Sequence, residues 1–239
     1  MERNLEARGI QGPASGVRTP DRARPSGKRK APPGPRGIAH RIAPCIEWGS
    51  ASEALAGQTE SGDRFTVVPT AEGAMVAVVD GVGHGGEAAS SSRTAIATLE
   101  RYADEHPISL VQRCHGALRS SRGVVLSIAS FHAREGLLTW IGVGNVEGLL
   151  LRADPDAART SLLLRSGVLG VQIPSLQASV LPVGPGDVLI LATDGIRPGF
   201  GDGIARTDPP QRIAEALLRR HARGTDDACV LAARFRGAP

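Results

Sequence analysis

Val78-Val79-Asp80-Gly81-Val82-Gly83-His84-Gly85-Gly86-Glu87-Ala88-Ala89 reads as a strand that enters a glycine-rich turn and leaves as a helix. The apolar stretch Ala74–Val79 is too short for a helix and delivers a carboxylate, Asp80, to its end. The glycines that follow let the backbone turn tightly and come close to a ligand. Glu87–Tyr102 is rich in Ala and Ser, with Ala95, Leu99 and Tyr102 on one helical stripe. The same logic recurs downstream in Val188-Leu189-Ile190-Leu191-Ala192-Thr193-Asp194-Gly195. A third acidic point, Asp226-Asp227, opens the last apolar run, Ala228–Phe235. Taken singly, an Asp-Gly pair is a turn. Three carboxylate points at strand ends, far apart in the chain, indicate a site for divalent metal.

Outward from these points, short apolar runs recur at Phe65–Pro69, Val124–His132, Gly136–Gly144, Val146–Leu151, Ser161–Leu164 and Ala178–Val183. Bounded by Gly, Asp or Pro, they read as strands. Leu137–Ile141 and Val146–Leu150 flank Gly142-Val143-Gly144-Asn145, which predicts a hairpin with Asn145 shaping its turn. Two further helices are expected. Ile108–Leu118 carries Leu110, Val111, Cys114 and Leu118 at helical spacing, and Pro210–His221 follows Asp208, a candidate cap. The expected fold class is α+β, with two antiparallel β-sheets packed as a sandwich and flanked by α-helices.

The chain has 239 residues, enough for one domain and something more. Residues 1–43 carry ten Lys and Arg against three acids, a net of +7, while the rest holds 18 against 21, a net of −3. The isoelectric point near 9.5 therefore describes the tail and not the body. Residues 1–43, rich in Pro, Gly and Arg, lack apolar periodicity and are expected to be a disordered basic tail. It reads either as an inert tail or as a basic arm for acidic partners or nucleic acid; no aromatic side chain interleaves its charges, so base-stacking has no support, and the acidic balance of 44–239 argues against a nucleic-acid binder. The expected domain is 44–239. No apolar run is long enough to span a bilayer, and no apolar segment follows the basic start as in a secretory signal. Three widely spaced cysteines, Cys45, Cys114 and Cys229, read as reduced thiols in a cytoplasmic protein.

Hard divalent cations take oxygen ligands from carboxylates, carbonyls and water. Asp80, the Gly81 carbonyl, Asp194 and Asp226 are the candidate ligands for Mn²⁺ or Mg²⁺. Two such ions roughly 3.5–4 Å apart can activate water and position a phosphoryl group for in-line attack. No His/Cys cluster has zinc spacing.

As an ordered set, these motifs resemble the metal-dependent serine/threonine protein phosphatases (PPM, or type 2C). They are Asp80-Gly81-Val82-Gly83-His84-Gly85, Ala192-Thr193-Asp194-Gly195 and Asp226-Asp227-Ala228. Ser61-Gly62-Asp63, Gly142–Glu147 and Gly167-Val168-Leu169-Gly170 extend the likeness to the bacterial SpoIIE branch and its small RsbX-like group. The resemblance spans residues 46–236 and implies a β-sandwich with a dinuclear Mn²⁺/Mg²⁺ centre. By it, Asp80 bridges the ions, Gly81 lends its carbonyl, Asp194 and Asp226 bind metal, and Asp63 holds a water of the centre. It also implies hydrolysis of phosphoserine or phosphothreonine on a phosphorylated STAS-domain regulator of a sigma-factor partner-switching or stressosome pathway. The alternative is a non-catalytic module of the same fold that holds a STAS or anti-sigma partner. His84 lies four residues after Asp80, whereas the eukaryotic-type histidine directly follows Asp-Gly. It is either a turn residue or a group near the substrate. Asp227 is a candidate for supporting the metal ligands from behind.

Overall fold

The computed structural model describes residues 43–238, so the expected tail lies outside it except for Ala43. In chain order the strands are β1 (Ile46–Glu53), β2 (Asp63–Pro69), β3 (Gly73–Gly81), β4 (Val124–His132), β5 (Leu137–Val143), β6 (Glu147–Leu151), β7 (Thr160–Ser161), β8 (Leu164–Arg165), β9 (Ser179–Pro182), β10 (Val188–Ala192) and β11 (Ala228–Phe235). Helices α1 (Gly86–Arg101) and α2 (Pro107–Ala117) lie between β3 and β4, and α3 (Pro210–His221) precedes β11. One sheet has the order β1-β11-β10-β6-β7, and the other β2-β3-β4-β5-β8 with β9 also on β5.

Side chains alternate across each strand, and here both faces are covered. Val76, Val78, Ala129, Phe131 and Trp140 face the first sheet's Leu189, Leu191, Leu231 and Phe235 in the central core. Phe131 stacks on Phe235 with centroids 5.8 Å apart. The intervening residues Met75, Ala77, Val79, Leu126 and Ile128 pack under Leu99, Leu110 and Leu118 of the α1–α2 layer. Val188, Ile190, Val230 and Ala232 pack likewise under Ile213 and Leu217 of α3. Burying each such Val, Leu, Ile, Met or Phe side chain contributes about 1.5–3 kcal/mol. The three cysteines are buried free thiols.

Several sequence expectations are corrected. Residues 137–151 do not form a hairpin, because β5 stays in the second sheet while β6 pairs with β10 in the first. Gly144, with φ 99°, sits in the crossing, and its N–H donates to Arg165 O at 2.8 Å. Alternation reports burial and not sheet membership, and these strands are buried on both faces, so the crossing is silent in the pattern. Ser161–Leu164 divides into β7 and β8, which belong to different sheets. The pairing of β8 with β5 is parallel. Ile46–Glu53, not read as a strand, is the edge of the first sheet and pairs along its whole length with β11. Asp208 does not cap α3; Pro209 occupies that position with no side-chain bond. The helix is instead pinned by Gln211, which accepts from Ser50 N at 3.1 Å and donates to Ser50 O at 2.9 Å.

Candidate active site

Antiparallel pairing brings distant residues to one end of the sandwich. Asp63 opens β2 and lies in register with Asp80 near the end of β3. In the other sheet, Ala192 pairs with Val230. Asp194, just past β10, and Asp226-Asp227, just before β11, therefore emerge at the same edge.

Hydrogen bonds lock these segments together. Thr193 Oγ1 donates to Asp63 Oδ2 at 2.7 Å, tying the two sheets, and accepts from Cys229 N at 2.8 Å. Asp227 is buried, and both its oxygens are taken by backbone. Leu55 N donates to Oδ1 at 2.7 Å and Gly62 N to Oδ2 at 2.6 Å. Asn145, on the crossing between the sheets, donates from Nδ2 to Asp194 Oδ2 at 2.6 Å. Asp226 is exposed and uses Oδ1 to accept from Asp227 N at 2.8 Å.

Two glycines permit this packing. A Cβ on Gly195 would lie 1.9 Å from the Asp227 carbonyl oxygen, and one on Gly81 would lie 2.3 Å from the Ala88 carbonyl oxygen. The close approach of Asp194-Gly195 to Asp226-Asp227, and of β3 to α1, needs a residue with no side chain there.

The charges reinforce one another. Burial, followed by the charges of Asp63, Asp194, Asp226 and Asp227, pushes Asp80 up to about 8. Burial also pushes Asp63 up to about 7, against the Thr193 hydrogen bond and with Asp227, Asp194 and Asp226 adding to the rise. Asp194 is raised by burial and then by Asp226, while Arg223 and Asn145 oppose the rise. Asp63, Asp80 and Asp194 are thus raised by burial and by the aspartate charges around them, an arrangement that a divalent cation relieves.

The donor set fits Mn²⁺ or Mg²⁺, being all oxygen with Gly81 beside Asp80. Among the described residues, no three His, Cys, Asp or Glu side chains are disposed to close on a single ion.

A family model described as Stage II sporulation protein E (SpoIIE) matches residues 70–236. The chain belongs to the SpoIIE family. It is 27% identical over 172 residues to phosphoserine phosphatase RsbX of Bacillus subtilis (strain 168), covering 72% of this chain and 85% of that one. A structure from work on the bacterial stressosome, a modular system adapted to control secondary messenger signalling, has TM-score 0.73 and 28% identity. It covers 79% of this chain and 99% of that one. RsbX in complex with magnesium has TM-score 0.69 and 24% identity over 80% of this chain and 95% of that one. The expected sandwich is thus the fold of this SpoIIE-family chain.

Of the residues singled out in the sequence, the fold gathers Asp63, Asp80, Gly81, Asp194, Asp226 and Asp227. His84 is exposed on the glycine turn, its Nδ1 3.4 Å from Gln58 Nε2. Asn145 binds a candidate ligand, which corrects its reading as a hairpin former. Thr193 was overlooked as a site residue although its signal was visible, being a hydroxyl that interrupts an apolar run directly before Asp194. Asn145 had no such signal, since only the crossing between sheets brings it to Asp194.

Asp227→Ala is expected to destabilise this SpoIIE-family protein by about 3 kcal/mol or more, because two backbone N–H groups lose their acceptor. Urea unfolding of the full chain measures this, and an unchanged midpoint would refute the strut role.

Proposed function

We propose that this SpoIIE-family protein removes phosphate from phosphoserine or phosphothreonine of a regulatory protein in the cytoplasm. The proposed substrate is a phosphorylated STAS-domain regulator of a sigma-factor partner-switching or stressosome pathway. The observation that carries the proposal is the convergence of Asp63, Asp80, Asp194 and Asp226 at one end of the sandwich, with mutual repulsion that calls for cations. Asp80, the Gly81 carbonyl, Asp194 and Asp226 are the proposed ligands. When bound, Mn²⁺ or Mg²⁺ supplies Lewis-acid stabilisation of the phosphoryl oxygens and an activated water. The protein's own part is placement. Thr193 holds Asp63 toward the centre, Asn145 fixes the orientation of Asp194, and Asp227 clamps Leu55 and Gly62 beneath them. Arg223 contributes positive charge near Asp194.

A partner-holding module without turnover is the second reading. It has no use for a full set of clustered carboxylates, whose repulsion costs stability. Incubating the full chain with a phosphorylated STAS-domain protein and Mn²⁺ separates the two. Release of inorganic phosphate, abolished by a chelator, is the expected result. A stable complex with all phosphate retained would establish the second reading in its place.

A further inference from the structure

A cleft of about 320 Å³, apart from the aspartate cluster, opens where β2 and β4 end and β3 begins. With about 3.3 Å of rise per strand residue, it lies roughly 20 Å along the sheet from Asp80. Its floor is the helix-facing side of β4. Ser130 alternates with Leu126 and Ile128, which pack beneath α1 and α2, so its side chain enters the gap between β4 and the α1–α2 turn. Ser130 is only 8% exposed, and its Oγ has no hydrogen-bond partner among the described residues. A buried hydroxyl without a partner is costly and points to an occupant that supplies one.

The walls are rich in acceptors. Asp104, on the α1–α2 turn, accepts from Ala71 N through Oδ1 at 2.8 Å and keeps its other oxygen. Glu72 spends one oxygen on His132 Nδ1 at 2.7 Å, and His132 Nε2 is held by Thr139 Oγ1 at 3.0 Å. Glu105 is neutralised by a bidentate pair with Arg113 at 2.6 Å. No lysine or arginine lines the cleft among the described residues. Ala103 and Pro107 add a small apolar wall. Among the described residues, no three His, Cys, Asp or Glu side chains close on a bare metal ion.

We infer that this cleft binds a small aliphatic cation, an amine or guanidine, through Asp104, Glu72 and the buried Ser130 hydroxyl. The cationic N–H groups donate to the spare carboxylate oxygens and to Ser130 Oγ, and the carbon chain lies against Ala103 and Pro107. The volume suits a ligand of this size. The same chemistry could arrive as a free metabolite or as an arginine side chain of another protein.

The test is calorimetry and thermal unfolding of the full chain, with Mn²⁺ present to fill the aspartate cluster. The probes are agmatine, putrescine, the neutral isostere butane-1,4-diol and a short peptide with one central arginine. Agmatine or putrescine should bind saturably and raise the unfolding temperature, and the diol should do neither. Asp104→Asn keeps the acceptor for Ala71 N and loses the charge, so cation affinity should fall about tenfold or more. Ser130→Ala should leave the ligand-free unfolding temperature unchanged or higher and still weaken binding. Asp80→Asn should bind both cations as the wild type does. Peptide binding as tight as agmatine assigns the natural occupant to a protein side chain, and weaker peptide binding assigns it to a free cation; either result supports the site. The inference is overturned if neither cation binds at millimolar concentration, if binding survives both cleft substitutions, or if Asp80→Asn removes it.

Discussion

Asp80→Asn is expected to lower Mn²⁺-dependent hydrolysis of p-nitrophenyl phosphate and of a phosphorylated STAS-domain protein by about a thousandfold. The substitution preserves shape and volume while removing one negative charge from the middle of the cluster. Asp80 is the carboxylate that burial and four neighbouring aspartates raise furthest among those with a resolved value. Its loss removes an anionic side chain that would hold the proposed cations. Stability should move the other way. With the repulsion relieved, the metal-free variant should unfold at a higher temperature than the wild type. Loss of activity together with a gain in stability separates a functional ligand from a structural one. Activity within tenfold of wild type would remove Asp80 from the centre.

The second large effect is on the pH dependence of the metal-free protein. Burial and the neighbouring aspartate charges push Asp63 and Asp80 in the folded chain up to about 7 and about 8, against an ordinary value of 3.8. The folded state therefore holds protons that the unfolded state releases. The associated stability is fully present below the ordinary carboxylate value and is lost as pH rises through about 7 to 8. In chelator, the unfolding temperature should fall by roughly 5–10 °C between about pH 5.5 and about pH 8.5. Adding Mn²⁺ at the upper pH should restore it, since the cation takes over the role of the protons. Asp80→Asn should flatten the dependence. A metal-free unfolding temperature that climbs over this range would contradict the clustering of charge.

Much of this was legible in the sequence because it is local. Strand, glycine turn and helix at 74–102 follow from a short apolar run, a loss of side chains and an Ala-rich stripe, and β3 and α1 occupy that stretch. Pro210–His221 was readable from its first-turn proline and its apolar spacing. What was not legible depends on pairing. The chain changes sheet between Val143 and Glu147, and that crossing carries Asn145 to Asp194. Nothing in a period-two pattern distinguishes a hairpin from a crossing when both strands are buried on both faces. Asp227 is similar. Its place beside Asp226 suggested support for the metal ligands, but its partners, Leu55 and Gly62, lie far away in sequence and are reached only once β11 stands beside β2. Backbone-to-carboxylate bonds of this kind leave no compositional trace.

The most direct measurement is calorimetric titration of the metal-free full chain with Mn²⁺ at neutral pH, alongside Asp80→Asn and Asp194→Asn. Saturable uptake by the wild type, accompanied by proton release and strongly weakened in both variants, is the predicted result. Absence of saturable uptake by the wild type, or equal uptake by all three proteins, would show that these aspartates do not hold a cation together.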